Sequence, residues 1–348
     1  MPCWQPPSRS YLQLASRVEA FAVSTKSSPC TSSMRRVPLA NRTWQWRCPP
    51  LPVPDPRALC LRLRGNILIV GDSVSHVFAQ TLAALQGGQR LQDTPSRAEW
   101  SVCGGRRRLT YVRNDVLDVA ASYGGALTSG RGFNCYMRAP PLSFGAGGPT
   151  PLAVRAALQN KGGNPALCNP WSSDLRGADL AVLNSGAHGL PDDVYAAFMR
   201  AAAAHARGHA PNGTVLVWRN TPAGTPGCAA TKTAAPLPTL QAAKVHIAAL
   251  GWAFDWDQFA RRNAIAARVF LAQGFAVADA YTGTAMRLDG HPHDCLHYCM
   301  PGPVLHWVLL VLGAFAARRG GLQSEVGAAP VKRPATIAHT KHKGKQKA

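Results

Sequence analysis

Acidic residues are scarce in this chain, and long apolar runs are missing. Only 17 Asp and Glu stand against 38 Lys and Arg in 348 residues, a formal charge of +21, and charged residues of both signs reach just 16%. No stretch attains the roughly 18 apolar residues of a spanning helix, which excludes a multi-span membrane protein. Met1–Lys26 contains no apolar run of signal-peptide length, so either the start is incomplete or the protein is not secretory. The α/β-hydrolase elbow G-x-S-x-G is absent, which argues against that fold. There is no internal repeat. No RNP-like aromatic pattern, zinc finger or heptad is present to assign the basic charge to nucleic acid, so no nucleic-acid partner is expected.

What is present is a hydrophobic fraction of 46% with a mean hydropathy of −0.08, enough for a sizeable core and incompatible with disorder throughout. The positive charge is spread along the chain: +6 over residues 1–60, +8 over 61–315 and +7 over 316–348. A basic surface of this kind attracts polyanions of any class, and it also arises as a plain solvated surface with a basic tail. Ten cysteines, several beside Gly, Pro or polar residues (Cys30, Cys48, Cys135, Cys168, Cys228), favour disulfides and an oxidising compartment. The sequons at Asn41 and Asn212 are compatible with that compartment.

Residues 1–60 are rich in proline and read as an irregular segment wrapped on a domain or leading into it. From Asn66 the texture changes to alternating strands and helices. Strands are predicted at Asn66–Val70, Leu109–Val112, Asp179–Leu183, Thr214–Trp218 and Phe275–Ala280. Helices are predicted at Ser73–Leu85, Asp192–His205, Leu240–Leu250, Phe259–Gln273 and Pro303–Ala317. This order implies an α/β fold, a parallel sheet covered on both faces, over residues 61–317. The Lys-rich stretch 318–348 has no periodicity and is expected to be a disordered tail.

In open parallel sheets ligands bind at the carboxyl ends of strands, and three reactive segments fall there. Gly71-Asp72-Ser73 follows the first strand; Ser73 could present its hydroxyl and its own N–H at a helix N-terminus, although Asp and Ser are also ordinary helix-cap residues. Asn184-Ser185-Gly186-Ala187-His188 ends another strand; the Asn184 amide could donate to an oxyanion and Gly186 permits close approach, although the same residues also close a simple turn. Asp289–Cys299 is the densest polar cluster, in which Asp294 and His297, three apart, share a face and could converge on one serine. The alternation of His291, His293, Cys295, His297 and Cys299 also resembles a metal tract, but no distant second ligand pair accompanies it, and no metal is assigned.

Taken together, these blocks resemble the plant and algal trichome birefringence-like polysaccharide O-acetyltransferases, the PC-esterase branch of the SGNH/GDSL superfamily. The resemblance is carried by Trp44-Gln45-Trp46-Arg47-Cys48, by Asn66–Ser73 and by Asp294-Cys295-Leu296-His297-Tyr298-Cys299-Met300-Pro301-Gly302. Between them Val112–Asp115, Asn184–His188, Trp218–Pro222 and Trp256–Phe259 follow in the expected order. It spans roughly residues 44–315 and implies a three-layer SGNH-like αβα fold. It further implies Ser73 as nucleophile, His297 as base, Asp294 as its orienting carboxylate, and the Ser73 amide, Asn184 and Gly186 as oxyanion donors. His76, His188 and Arg219 become candidate substrate contacts, with His76 standing where the family has Arg. Cys295 pairs with Cys228 and Cys299 with Cys30 on this reading. The implied activity is acetyl transfer to hydroxyls of a cell-wall or secretory-pathway polysaccharide in the Golgi. The acetyl donor is a co-substrate and there is no bound cofactor; ester hydrolysis and non-catalytic glycan or polyanion binding are the alternatives. The family's membrane anchor is not supplied by Met1–Lys26, so membrane attachment is expected only through a segment outside this sequence.

Overall fold

The computed structural model describes residues 3–25, 43–47, 56–94, 96–119, 167–228, 235–250, 255–291 and 294–320. Cys30, Cys48, Cys135, His293 and the tail from residue 321 lie outside the described residues.

Nine strands are named in chain order: β1 (Trp4–Gln5), β2 (Gln45–Trp46), β3 (Asn66–Gly71), β4 (Gln89–Asp93), β5 (Arg97–Val102), β6 (Arg107–Arg113), β7 (Ala178–Leu183), β8 (Val215–Arg219) and β9 (Ala276–Ala278). The helices are α1 (Arg9–Thr25), α2 (Pro56–Arg62), α3 (Ser73–Leu85), α4 (Ser172–Leu175), α5 (Asp192–His209), α6 (Leu240–Leu250), α7 (Phe259–Ala272), α8 (Ala280–Ala285) and α9 (Gly302–Arg318). The last seven strands form one sheet in the order β4-β5-β6-β3-β7-β8-β9, parallel from β6 to β9.

β3 shows why the sheet is central. Its run of Ile, Leu, Ile and Val is buried on both faces, because successive side chains point to opposite sides. Ile67 and Ile69 pack with Val18 of α1, Phe78 of α3 and Trp307 of α9. Leu68 and Val70 pack with Phe198 of α5 and Phe270 of α7. Two apolar layers therefore enclose one sheet, giving a three-layer α/β architecture. From β3 the chain leaves to β6 on one side and to β7 on the other, so a crevice opens at the carboxyl ends of these strands.

The structure corrects the sequence reading in two places. Residues 9–25 are helical rather than irregular: Tyr11, Leu14, Ala15, Val18 and Ala22 recur at helical spacing and are buried against α3. The Trp-rich segment before β3 is also ordered, since β1 and β2 pair and Trp4 packs edge-on against Trp46 at 5.4 Å. Second, the sheet is not wholly parallel: β4 and β5 extend it as an antiparallel edge.

Candidate active site

The turn after β3 is dictated by what surrounds it. A Cβ at Gly71 would run into Ser75 Oγ and come within 2.8 Å of the Asn184 carbonyl, so only glycine lets β3 pass β7 here. Asp72 caps α3, its Oδ1 accepting the Val74 N–H at 3.0 Å. Its Oδ2 accepts the Ala187 N–H at 3.3 Å, and its carbonyl accepts the Tyr111 hydroxyl at 2.9 Å. Burial pushes the Asp72 carboxyl up, opposed by the charges of His188 and Arg219. Asp72 is thus spent on structure, and Ser73, the first residue of α3 and only partly buried, faces the crevice. The Ser73 N–H is one of the first-turn donors that no helix can satisfy internally, and no acceptor among the described residues takes it.

His297 reaches Ser73 from a loop 224 residues away: Nε2 lies 2.7 Å from Ser73 Oγ, and Nδ1 lies 2.5 Å from Asp294 Oδ2. Partial burial raises the Asp294 carboxyl, but the His297 hydrogen bond and charge, with two backbone N–H groups, outweigh it and hold the group well below the usual carboxylate range. An ionised carboxylate can only accept, so Nδ1 carries the proton and Nε2 is left to accept the Ser73 O–H. The loop itself is fastened from several directions. Asp294 Oδ1 accepts the N–H of Leu296 at 3.0 Å and of His297 at 2.9 Å. Cys295, at φ 58°, is disulfide-bonded to Cys228, and its carbonyl accepts the Thr225 N–H. Tyr298 donates its hydroxyl to the Ala223 carbonyl at 2.7 Å.

One supporting residue is read from the sequence only as a member of the metal-like tract. His291 is buried, and burial lowers its pKa to about 4, so the neutral ring donates Nδ1–H to the His297 carbonyl at 2.8 Å. Its place in the dense His cluster was the available signal.

Other candidates occupy different roles. Asn184 is not free to donate to an oxyanion: its side-chain NH₂ is committed to the Arg219 carbonyl at 2.9 Å and Thr221 Oγ1 at 3.0 Å, and its oxygen accepts from Ser75 and Arg219. Arg219 is 0% exposed, held between the Phe78 and Trp307 rings, so it cannot touch a polysaccharide. Burial brings its pKa down to about 10, partly restored by Asp72, and it remains a cation. Gly186 adopts φ 137°, and a Cβ there would lie 2.7 Å from Thr221 Oγ1. His76 stacks on Tyr111 and lies 3.1 Å from Asp93 on the sheet edge. His188 Nε2 sits 3.3 Å from Asp115, itself paired with Arg113.

The metal reading of the 291–299 tract loses its thiolates, because Cys295 and Cys299 are both disulfide-bonded. The partner expected for Cys299, Cys30, lies outside the described residues. A second bond, Cys60–Cys103, was not anticipated. Together these cystines indicate an oxidising environment, secreted or lumenal. Among the described residues no helix is long and apolar enough to cross a membrane. Compared with family models and with curated proteins, the chain matches none.

The arrangement is a hydroxyl, an imidazole and a carboxylate in line, beside an unused N–H at a helix start. It can take a proton from the hydroxyl, hold it, and return it to a leaving group.

Proposed function

We propose that this protein is a serine acyltransferase of the SGNH/GDSL kind, moving an acetyl group to polysaccharide hydroxyls in the secretory pathway. The observation that carries this reading is the 2.7 Å contact between Ser73 Oγ and His297 Nε2, backed by Asp294. In the first step His297 Nε2 takes the Ser73 proton while Oγ attacks the acetyl carbonyl of a donor ester. The tetrahedral oxyanion faces the Ser73 N–H, collapse breaks the bond to the donor oxygen, and His297 passes the proton to that oxygen. In the second step a sugar hydroxyl gives its proton to His297 and attacks the acetyl-Ser73 carbonyl. Ser73 Oγ leaves and recovers the proton. Hydrolysis differs only in that water replaces the sugar. The blocks shared with the trichome birefringence-like family favour the sugar.

The test is transfer from an acetyl-ester donor, with and without an oligosaccharide acceptor, followed by mass spectrometry of the acceptor. A 42 Da gain is expected, since acetyl (~43 Da) replaces hydrogen (~1 Da), and Ser73→Ala should lower the rate by on the order of 10³-fold or more. Acetate release indifferent to acceptor would make the protein an esterase. Full activity in Ser73→Ala would end the serine mechanism.

A further inference from the structure

At the opposite end of the sheet from Ser73 lies a cavity of about 480 Å³. It begins at Asn66, the first residue of β3, which places it about 20 Å from Ser73 by the rise of a strand. Its floor is the face of β5 and β6 turned away from α1, α3 and α9, and the short helix α4 borders it through Ser173 and Asp174. On β5, Ala98, Trp100 and Val102 point into the core, leaving Arg97, Glu99 and Ser101 on the other face. On β6, Leu109 and Tyr111 point inward, leaving Arg108 and Thr110 outward; Arg107, first in the strand, falls on the Leu109 side and meets the cavity only at the strand's end.

The charges there do not balance. Arg97 is paired with Asp174 and Glu99, and Arg108 with the other oxygen of Glu99. Two carboxylates thus answer two of the four arginines lining the cavity. Arg106 and Arg107 have none among the described residues. Arg106 Nε donates to the Cys103 carbonyl at 3.1 Å. Arg107 is held by the carbonyls of Leu63 and Arg106, which fix the guanidinium without neutralising it. The remaining lining adds the hydroxyls of Ser101, Thr110 and Ser173.

We infer that this arginine-lined cavity is a docking site for an anionic glycan, a sugar chain bearing carboxylate or sulfate groups. Planar guanidiniums bind such oxyanions bidentately, and the hydroxyls match sugar O–H groups. Nucleic acid is the poorer fit, because bases need aromatic faces to stack on and no aromatic side chain is among the described residues that line the cavity. A membrane surface is poorer too, since Leu91 is the one exposed large apolar side chain among the described residues that line the cavity. The site does not depend on the acyl chemistry proposed above; it would hold a charged chain while another part of that chain, or another chain, meets Ser73.

The full-length protein should bind a fluorescent oligogalacturonate and a heparin-derived oligosaccharide, and a neutral oligosaccharide of equal length at least tenfold more weakly. Arg106→Gln with Arg107→Gln should weaken anionic binding about tenfold at physiological salt. Arg200→Gln with Arg268→Gln, on α5 and α7, removes the same charge elsewhere and should change it less than about threefold. Arg106→Glu alone, at an exposed residue tied by one carbonyl, should weaken binding at least threefold with the melting temperature unchanged, which separates lost contact from lost folding. Ser73→Ala should bind as the wild type does, so loss of acetyl transfer and loss of docking are told apart. Equal losses in the two double variants, or no preference for charged sugar, overturn the inference. So does tighter binding, through the same arginines, of a single-stranded oligonucleotide or of phosphatidylserine/phosphatidylcholine vesicles.

Discussion

Ser73 arrives at the candidate site on a strand–helix junction whose neighbours are buried: Asp72, Ser75 and Asn184 are each 1% exposed or less. His297 arrives on a loop, its partner Asp294 has a side chain 52% exposed, and the loop is held by disulfides at Cys295 and Cys299 and scattered backbone bonds. One half of the triad is therefore specified by the packing of the whole sheet, the other by a local strap. Changes beneath Ser73 should cost folding, whereas changes around His297 should cost activity while the fold survives.

The largest effect should come from the exposed half. Asp294→Asn leaves the fold in place but replaces an acceptor-only group with one that can present N–H₂ to the ring, so the His297 tautomer is no longer fixed. A fall in kcat on the order of 10²–10⁴-fold is expected, with the melting temperature almost unchanged. A large loss of stability instead would mean that this loop is integral to the core, and the contrast would fail.

Beneath Ser73 the converse applies. Arg219→Leu removes the cation whose charge acts on buried Asp72, leaves Ser75 Oγ without its donor and leaves Asn184 Oδ1 with the Ser75 hydroxyl alone. Losing this buried cation together with its hydrogen bonds to Ser75 and Asn184 should cost about 3–5 kcal/mol, and chemical denaturation should register it. Folded variant molecules should keep the proposed transferase activity once corrected for their population.

Two of the disulfides sharpen the comparison further. Replacing Cys228 and Cys295 by serine opens a link spanning 67 residues; replacing Cys60 and Cys103 opens one spanning 43. Either change should cost about 2–4 kcal/mol by the chain-entropy account. Only the first should also lower the specific activity of folded protein, by about tenfold, because it alone frees the turn carrying Asp294 and His297. Equal specific activities would show that the backbone bonds to Thr225 and Gly290, with the disulfide of Cys299, are sufficient.

The same division explains what could be read from the sequence. The strands of the central sheet were legible because burial on both faces leaves continuous apolar runs, as in Asn66–Val70. β5 alternates Arg-Ala-Glu-Trp-Ser-Val, a half-buried pattern too short to stand out beside the continuous apolar runs. β4, Gln-Arg-Leu-Gln-Asp, is exposed along its length and carries no such signal. α1 was hidden by the proline-rich text around it, although its apolar stripe keeps the helical period. At the site, Ser73, Asp294 and His297 stood out because few residue types can do their chemistry. Asn184 and Arg219 stood out for the same reason and turned out to be buried scaffold, since a polar residue at a strand end looks alike whether it faces the crevice or braces it. Burial, which decides between those roles, is set by side chains distant in sequence.

The smallest effect concerns protons. Burial lowers the pKa of His306 to about 3 and of His291 to about 4, against 6.5 when unfolded. Both are therefore neutral in the folded protein, and below pH 6.5 the unfolded chain binds protons that the folded one does not. Stability is then full above pH 6.5 and falls as the pH drops toward the folded values, by up to about 2 kcal/mol per histidine at pH 5. The two differ in position: His306 packs against Trp4 and Trp46, under the N-terminal segment, whereas His291 braces His297. His306→Phe should flatten the stability–pH curve between 7 and 5 by about one histidine's share and leave the pH–rate profile of folded protein alone. A pH–rate profile that moved with His306→Phe would join the two halves that the burial pattern separates.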